Sequence, residues 1–104
     1  MPQFLYVYHG GKTPSDQAEI DKVMAAWQGW FGEMGEAVVN GGAPVGQSMT
    51  VSGSGVENDG GSNPASGFTI VSADDYDAAC AMAKGCPMVA DGSGSVEVAQ
   101  IHEM

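Results

Sequence analysis

Gln3 to His9 alternates Phe4, Tyr6 and Tyr8 on one side with Leu5, Val7 and His9 on the other, and Gly10-Gly11 follows. Rich in aromatic and β-branched residues and closed by glycine, the segment predicts a strand. Because both faces are mainly apolar, it is expected to lie centrally in a sheet. Thr13-Pro14-Ser15-Asp16 offers a capping hydroxyl, a proline for the first helical position and an acid three residues after the cap, which predicts a helix start. Ile20, Val23, Met24, Trp27, Trp30, Phe31 and Met34 then recur at spacings of three and four. On a helix they share an arc of about 120°, the width of a core-facing stripe.

Asn40-Gly41-Gly42 reads as a turn, Ser48 to Ser52 as a short second strand, and residues 53 to 66 as a Gly/Ser/Asn loop without apolar period. Gly67 to Ser72 predicts a third strand. Ser72-Ala73-Asp74-Asp75 repeats the capping pattern, and Tyr76, Ala79, Cys80 and Ala83 supply a second, narrower helical stripe that Pro87 ends. Gly94 to Ile101 alternates Val96 and Val98 around Glu97 and predicts a fourth strand.

Strand, helix, strand, strand, helix, strand is the ferredoxin-like βαββαβ order: an α+β fold with a four-stranded antiparallel sheet and two helices on one face. Two helices leave the other face bare, although the first strand is apolar on both sides. A second copy is the simplest cover, so a homodimer with a cavity between the sheets is expected.

The 104 residues fit a single domain, 1 to 104, and no apolar run reaches the ~18 residues of a membrane span. Thirteen acids against three bases give a net charge of −10, the wrong sign for nucleic acid or an anionic membrane. The N-terminus has no cationic and apolar leader, so a cytoplasmic setting is expected. Cys80 and Cys86 stand about 9 Å apart along a helix, too far for a disulfide, and are expected as reduced, buried thiols. Two cysteines and two distant histidines have no zinc spacing, and the sequence carries no phosphate loop, dinucleotide fingerprint or nucleophile elbow. No metal or cofactor is expected.

The strings AAWQGWFGEMG in the first helix, NDGGSNP before GFTIVSADD, AKGCP after the second helix and GSVEV in the last strand resemble the YCII-related family, which includes the DGPF-domain proteins. The resemblance covers nearly the whole chain. It implies a ferredoxin-like fold pairing as a dimeric α+β barrel, a pocket between sheet and helices, and an enzyme suspected from a His and an Asp near that pocket. The chain departs from the pattern in having Asp59-Gly60-Gly61 where DGPF members have Asp-Gly-Pro-Phe, and Met88 where some relatives carry His after Cys-Pro.

His9, at a strand end, is the best candidate for moving protons near neutral pH, although such a His is more often structural. Asp59 matches the family's loop and is a candidate partner for His9, or a turn former. Lys12, after Gly10-Gly11, is a candidate for holding an anion at the helix start, and Asn63 for binding a polar ligand. Tyr6, Tyr8 and Trp27 are candidate pocket walls, although a residue on a stripe of helical spacing, as Trp27 is, is more often simply core. Two functions fit: a cofactor-free enzyme acting on a small organic molecule, or a non-catalytic ligand-binding or regulatory dimer.

Overall fold

The computed structural model describes residues 1–11 and 15–102. Its elements are β1 (Gln3–Gly10), α1 (Gln17–Met34), a single 3-10 turn (Gly35–Ala37), β2 (Val38–Pro44), β3 (Thr50–Ser52), β4 (Gly55–Glu57), β5 (Ala65–Ser72), α2 (Tyr76–Ala83), α3 (Pro87–Ala90) and β6 (Gly94–Gln100). β2, β5, β1 and β6 form, in that order, one antiparallel sheet, and β3 pairs with β4 in a separate two-stranded ribbon. Counting only the four strands of the large sheet, this is the ferredoxin-like order expected from the sequence.

Strand β1 lies between β5 and β6, so its alternation decides what each face of the sheet is made of. Phe4, Tyr6 and Tyr8 are buried with Thr69 and Val71 of β5, beneath Trp30 of α1 and Ala79 and Ala83 of α2. Rings interlock across this layer: Tyr6 stacks on Trp30 at 6.1 Å between centroids, and Tyr8 meets Trp27 edge-on at 5.0 Å. Burying each of the larger side chains contributes about 2 to 3 kcal/mol, and their polar atoms are satisfied within the layer. Tyr6 donates to the Ala79 carbonyl, Tyr8 to Thr69 Oγ1 at 2.6 Å, Thr69 onward to the Gly41 carbonyl at 3.0 Å, and Trp30 Nε1 to the Met82 carbonyl at 2.9 Å.

Five expectations need correction. Asp16, not Thr13, caps α1; its carboxylate accepts the Glu19 N–H at 2.8 Å, while Glu19 reaches back to Ser15. Thr13 itself, with Lys12 and Pro14, lies outside the described residues. The second strand of the sheet is Val38–Pro44 rather than residues 48 to 52. Asn40-Gly41-Gly42 is not a chain reversal but an irregular stretch of an edge strand, with register shifts against β5 on both sides of Asn40. Gly42 is required there: its φ is +70°, and a Cβ would lie 1.8 Å from the Phe68 carbonyl oxygen. Residues 48 to 57, expected as a strand running into a formless loop, instead make the projecting β3–β4 ribbon. Finally, Cys86 is buried but Cys80 is exposed, because α2 presents Ala79 and Ala83 to the core and turns the residue after Ala79 outward.

The opposite face of the sheet carries Leu5 and Val7 of β1, Phe68 and Ile70 of β5, and Glu97 and Ala99 of β6, paired across the strands. No helix lies over it among the described residues; the core cluster belongs wholly to the other face. Among the described residues no helix is long and apolar enough to cross a membrane.

Candidate functional site

His9 stands at the end of β1, on the uncovered face, where the pairing with β5 slips between Tyr8 and His9. Gly10 ends the strand with φ +84°, and a Cβ there would touch the Ser93 carbonyl oxygen at 3.0 Å. That close approach draws the β6 end of the sheet against β1 and brings Glu97, diagonal to His9 in the register, into reach of its ring.

His9 Nε2 lies 2.9 Å from Glu97 Oε1, and Nδ1 lies 3.0 Å from the Asn63 carbonyl oxygen and 3.2 Å from that of Pro64. All three partners are acceptors. A neutral imidazole has one N–H to give, so the arrangement is filled when both nitrogens carry protons. The hydrogen bond to the Glu97 carboxylate accordingly raises the His9 pKa above its usual value; burial opposes this, and the Pro64 and Asn63 carbonyls and the Glu97 charge add to it. The His9 side chain is 12% exposed while that of Glu97 is 66% exposed, so the pair is sheltered on the histidine side and open to solvent on the acid side.

Asn63 and Pro64 also form part of the wall of an open depression of about 490 Å³, together with Gly10, Gly11, Gln47, Ser48, Asp59 and Ser66. This is within the size range of small-molecule sites. Asp59 shapes its floor: Oδ1 accepts the Gly61 N–H at 3.0 Å and its carbonyl accepts the Thr50 hydroxyl at 2.7 Å. Gln47 Nε2 donates to the Asn58 carbonyl at 3.0 Å across the same loop. The depression is therefore walled by apolar surface, from Val45, Pro64, Ala65 and the glycines, interrupted by short polar side chains, which suits a small organic molecule bearing a few hydrogen-bonding groups.

Of the sequence candidates, the structure brings His9, Asn63 and Asp59 to one end of the sheet, but it joins His9 to Glu97 rather than to Asp59. Asn63 takes part through its backbone carbonyl. Lys12 lies outside the described residues. Tyr6 and Tyr8, expected as pocket walls, are core instead: they are 0% and 5% exposed, and their own rings with Trp30 fill the space between sheet and helices. Burial and the nearby Cys80 and Cys86 push the Tyr6 phenol up to about 12, and burial raises Tyr8 further, so neither ionises near neutral pH. Trp27 is half-buried at the edge of the same cluster.

Glu97 is the residue that reading the chain did not single out. Its signal was one acid between Val96 and Val98 in an alternating strand, and only the β1–β6 register shows that it faces His9. Among the described residues no three His, Cys, Asp or Glu side chains gather as a metal ion requires.

The model of the YCII-related domain matches residues 4–104. Among solved structures, the chain is similar to 5-chloro-2-hydroxyhydroquinone dehydrochlorinase (TftG) from Burkholderia phenoliruptrix AC1100, determined in complex with 2,5-dihydroxybenzoquinone. The TM-score is 0.59 at 19% identity, over 98% of this chain and 95% of the other. That protein belongs to the dimeric α+β barrel superfamily, and at this identity the likeness shows the shared fold. No curated protein matches the chain significantly.

Proposed function

The chain belongs to the YCII-related family, and from that premise we propose that it is a cofactor-free enzyme, acting as a homodimer on a small oxygen-bearing organic molecule in the depression beside His9. The observation that carries this reading is the environment of His9: a largely sheltered imidazole held by three acceptors, two of them in the wall of the depression. An imidazolium whose Nε2–H rests on an exposed carboxylate is a proton reservoir: it gives a proton to a substrate oxygen or leaving group, and the neutral ring takes one back. Glu97 sets the ring's orientation and favours its charged form, while Asp59 and Asn63 offer polar groups to the bound molecule. The solved relative binds 2,5-dihydroxybenzoquinone, a ring of the size this depression accommodates. Two free cysteines, Cys80 and Cys86, support a reducing, cytoplasmic setting.

Screening a panel of small hydroxylated and carbonyl compounds for turnover, with His9→Gln alongside the natural chain, tests the proposal. Loss of at least 100-fold in turnover in the variant is expected; equal turnover removes His9 from the mechanism.

A second reading draws on the same geometry. Both His9 nitrogens are engaged, so the imidazole also serves as a brace fixing the loop at Asn63 and Pro64 to the sheet, as a non-catalytic binding or regulatory module requires. Ligands that raise the melting temperature yet are recovered unchanged support this reading, and any turnover defeats it.

A further inference from the structure

The β3–β4 ribbon is built of two three-residue strands with Val51 opposite Val56 on one side and Thr50 opposite Glu57 on the other. It is a miniature amphipathic hairpin, and its apolar side is turned to solvent: Val51 is 76% exposed, Val56 61% and the preceding Met49 59%. A two-stranded hairpin is at best marginally stable in water unless its apolar side rests on another surface. The chain's own body does not provide one, since among the described residues no other helix or strand makes more than slight contact with the ribbon.

The dimensions agree. The molecule measures 43 × 42 × 20 Å, with a radius of gyration of 14.8 Å where about 13 Å is usual for this length. Its accessible surface is 6816 Å², roughly 1,300 Å² above the ~5,500 Å² that a compact monomer of its mass exposes. A standard interface removes about 800 Å² from each partner, so the excess is large enough to supply one.

Among the described residues the chain thus has two apolar surfaces that no helix covers, the exposed ribbon and the half-buried sheet face of Leu5, Val7, Phe68 and Ile70. With −10 on each chain, charge opposes self-association, so an apolar contact has to drive it. We infer that the ribbon is an exchanged arm: in a dimer, each copy lays Met49, Val51 and Val56 over the uncovered sheet face of the other, closing the face that carries His9 and Glu97. The inference rests on the homodimer proposed above and adds that each site is completed by the other copy. The arm leaves β2 at Pro44 and rejoins the sheet at Ala65, the β5 partner of His9, so its root also forms the depression's wall.

Sedimentation over a dilution series, with Val51→Asp and Val56→Asp made together, tests the contact. The full chain is expected to dimerise, more tightly as salt screens the repulsion, and the double variant to raise the dissociation constant at least tenfold. Hydrogen exchange of residues 50–57 in the unaltered chain gives a second reading that needs no variant: arm amides are expected to lose protection about tenfold or more on dilution to monomer. A dimer whose dissociation constant the double variant leaves unchanged, with arm amides exchanging freely at every concentration, overturns the arm and leaves the homodimer standing. A chain that remains monomeric at every concentration overturns both.

Discussion

The two faces of β1 differ by one residue in register and by almost everything else. Phe4, Tyr6 and Tyr8 are enclosed under α1 and α2, with every ring packed and every hydroxyl bonded internally. Leu5, Val7 and His9, their immediate neighbours, face away from both helices, and His9 bonds outward to a loop and to β6. The covered face is finished within one chain; the bare face is where this fold has binding capacity to spare. Function is therefore sought on the bare side, and the aromatic side supplies the rigidity that holds it in place.

The comparison breaks most visibly by truncating a covered side chain. Trp30→Ala removes a ring stacked on Tyr6 and Phe31 and its bond to Met82, and is expected to cost about 3 to 5 kcal/mol, measured by urea unfolding. Val7→Ala on the bare face, measured below the dimer's dissociation constant, should cost less than about 1.5 kcal/mol; equal losses for the two would erase the distinction. Next in size, Tyr8→Phe leaves Thr69 without its donor while keeping the ring, and should cost about 1 to 2 kcal/mol in the same assay.

The bare face is sharpened by pH. The His9 pKa is raised in the folded chain, chiefly by its hydrogen bond to Glu97, so the stabilisation it brings is fully present below the unfolded histidine value of about 6.5 and is lost as pH climbs through the folded value. Unfolding free energy followed through that window should fall for the natural chain and stay flatter in His9→Gln. Identical pH profiles would show that the pair is not coupled to folding. By contrast the covered tyrosines should give no phenolate absorbance below about pH 11, since burial holds Tyr6 up to about 12 and Tyr8 higher.

The covered face was legible in the chain because its signals are local and repetitive. The helical period of α1 and the alternation of β1 give the element order, although only the later part of the seven-residue stripe, from Trp27 to Met34, meets the core, while Ile20, Val23 and Met24 stay exposed. The bare side depends on pairings between distant segments. Asn40-Gly41-Gly42 has a turn's composition, yet Gly42 serves to let the edge strand pass against Phe68, which no local rule reveals. The ribbon of residues 50 to 57 exists through a cross-strand pair, Val51 with Val56, hidden in a run of Gly and Ser. Of the site, His9 and the loop from Asp59 to Pro64 were visible by residue type and resemblance. Glu97 was not, because its meaning comes from lying diagonally across a strand pair some ninety positions away in the chain.

The most direct test is the ¹⁵N spectrum of the His9 imidazole at pH 6.5, in the natural chain and in Glu97→Gln. The result expected is a ring protonated on both nitrogens in the natural chain and a pKa moved back toward the ordinary histidine value in the variant. A neutral ring carrying a single proton, with the same titration in both proteins, would contradict the charged, Glu97-held histidine on which the reading of the bare face depends.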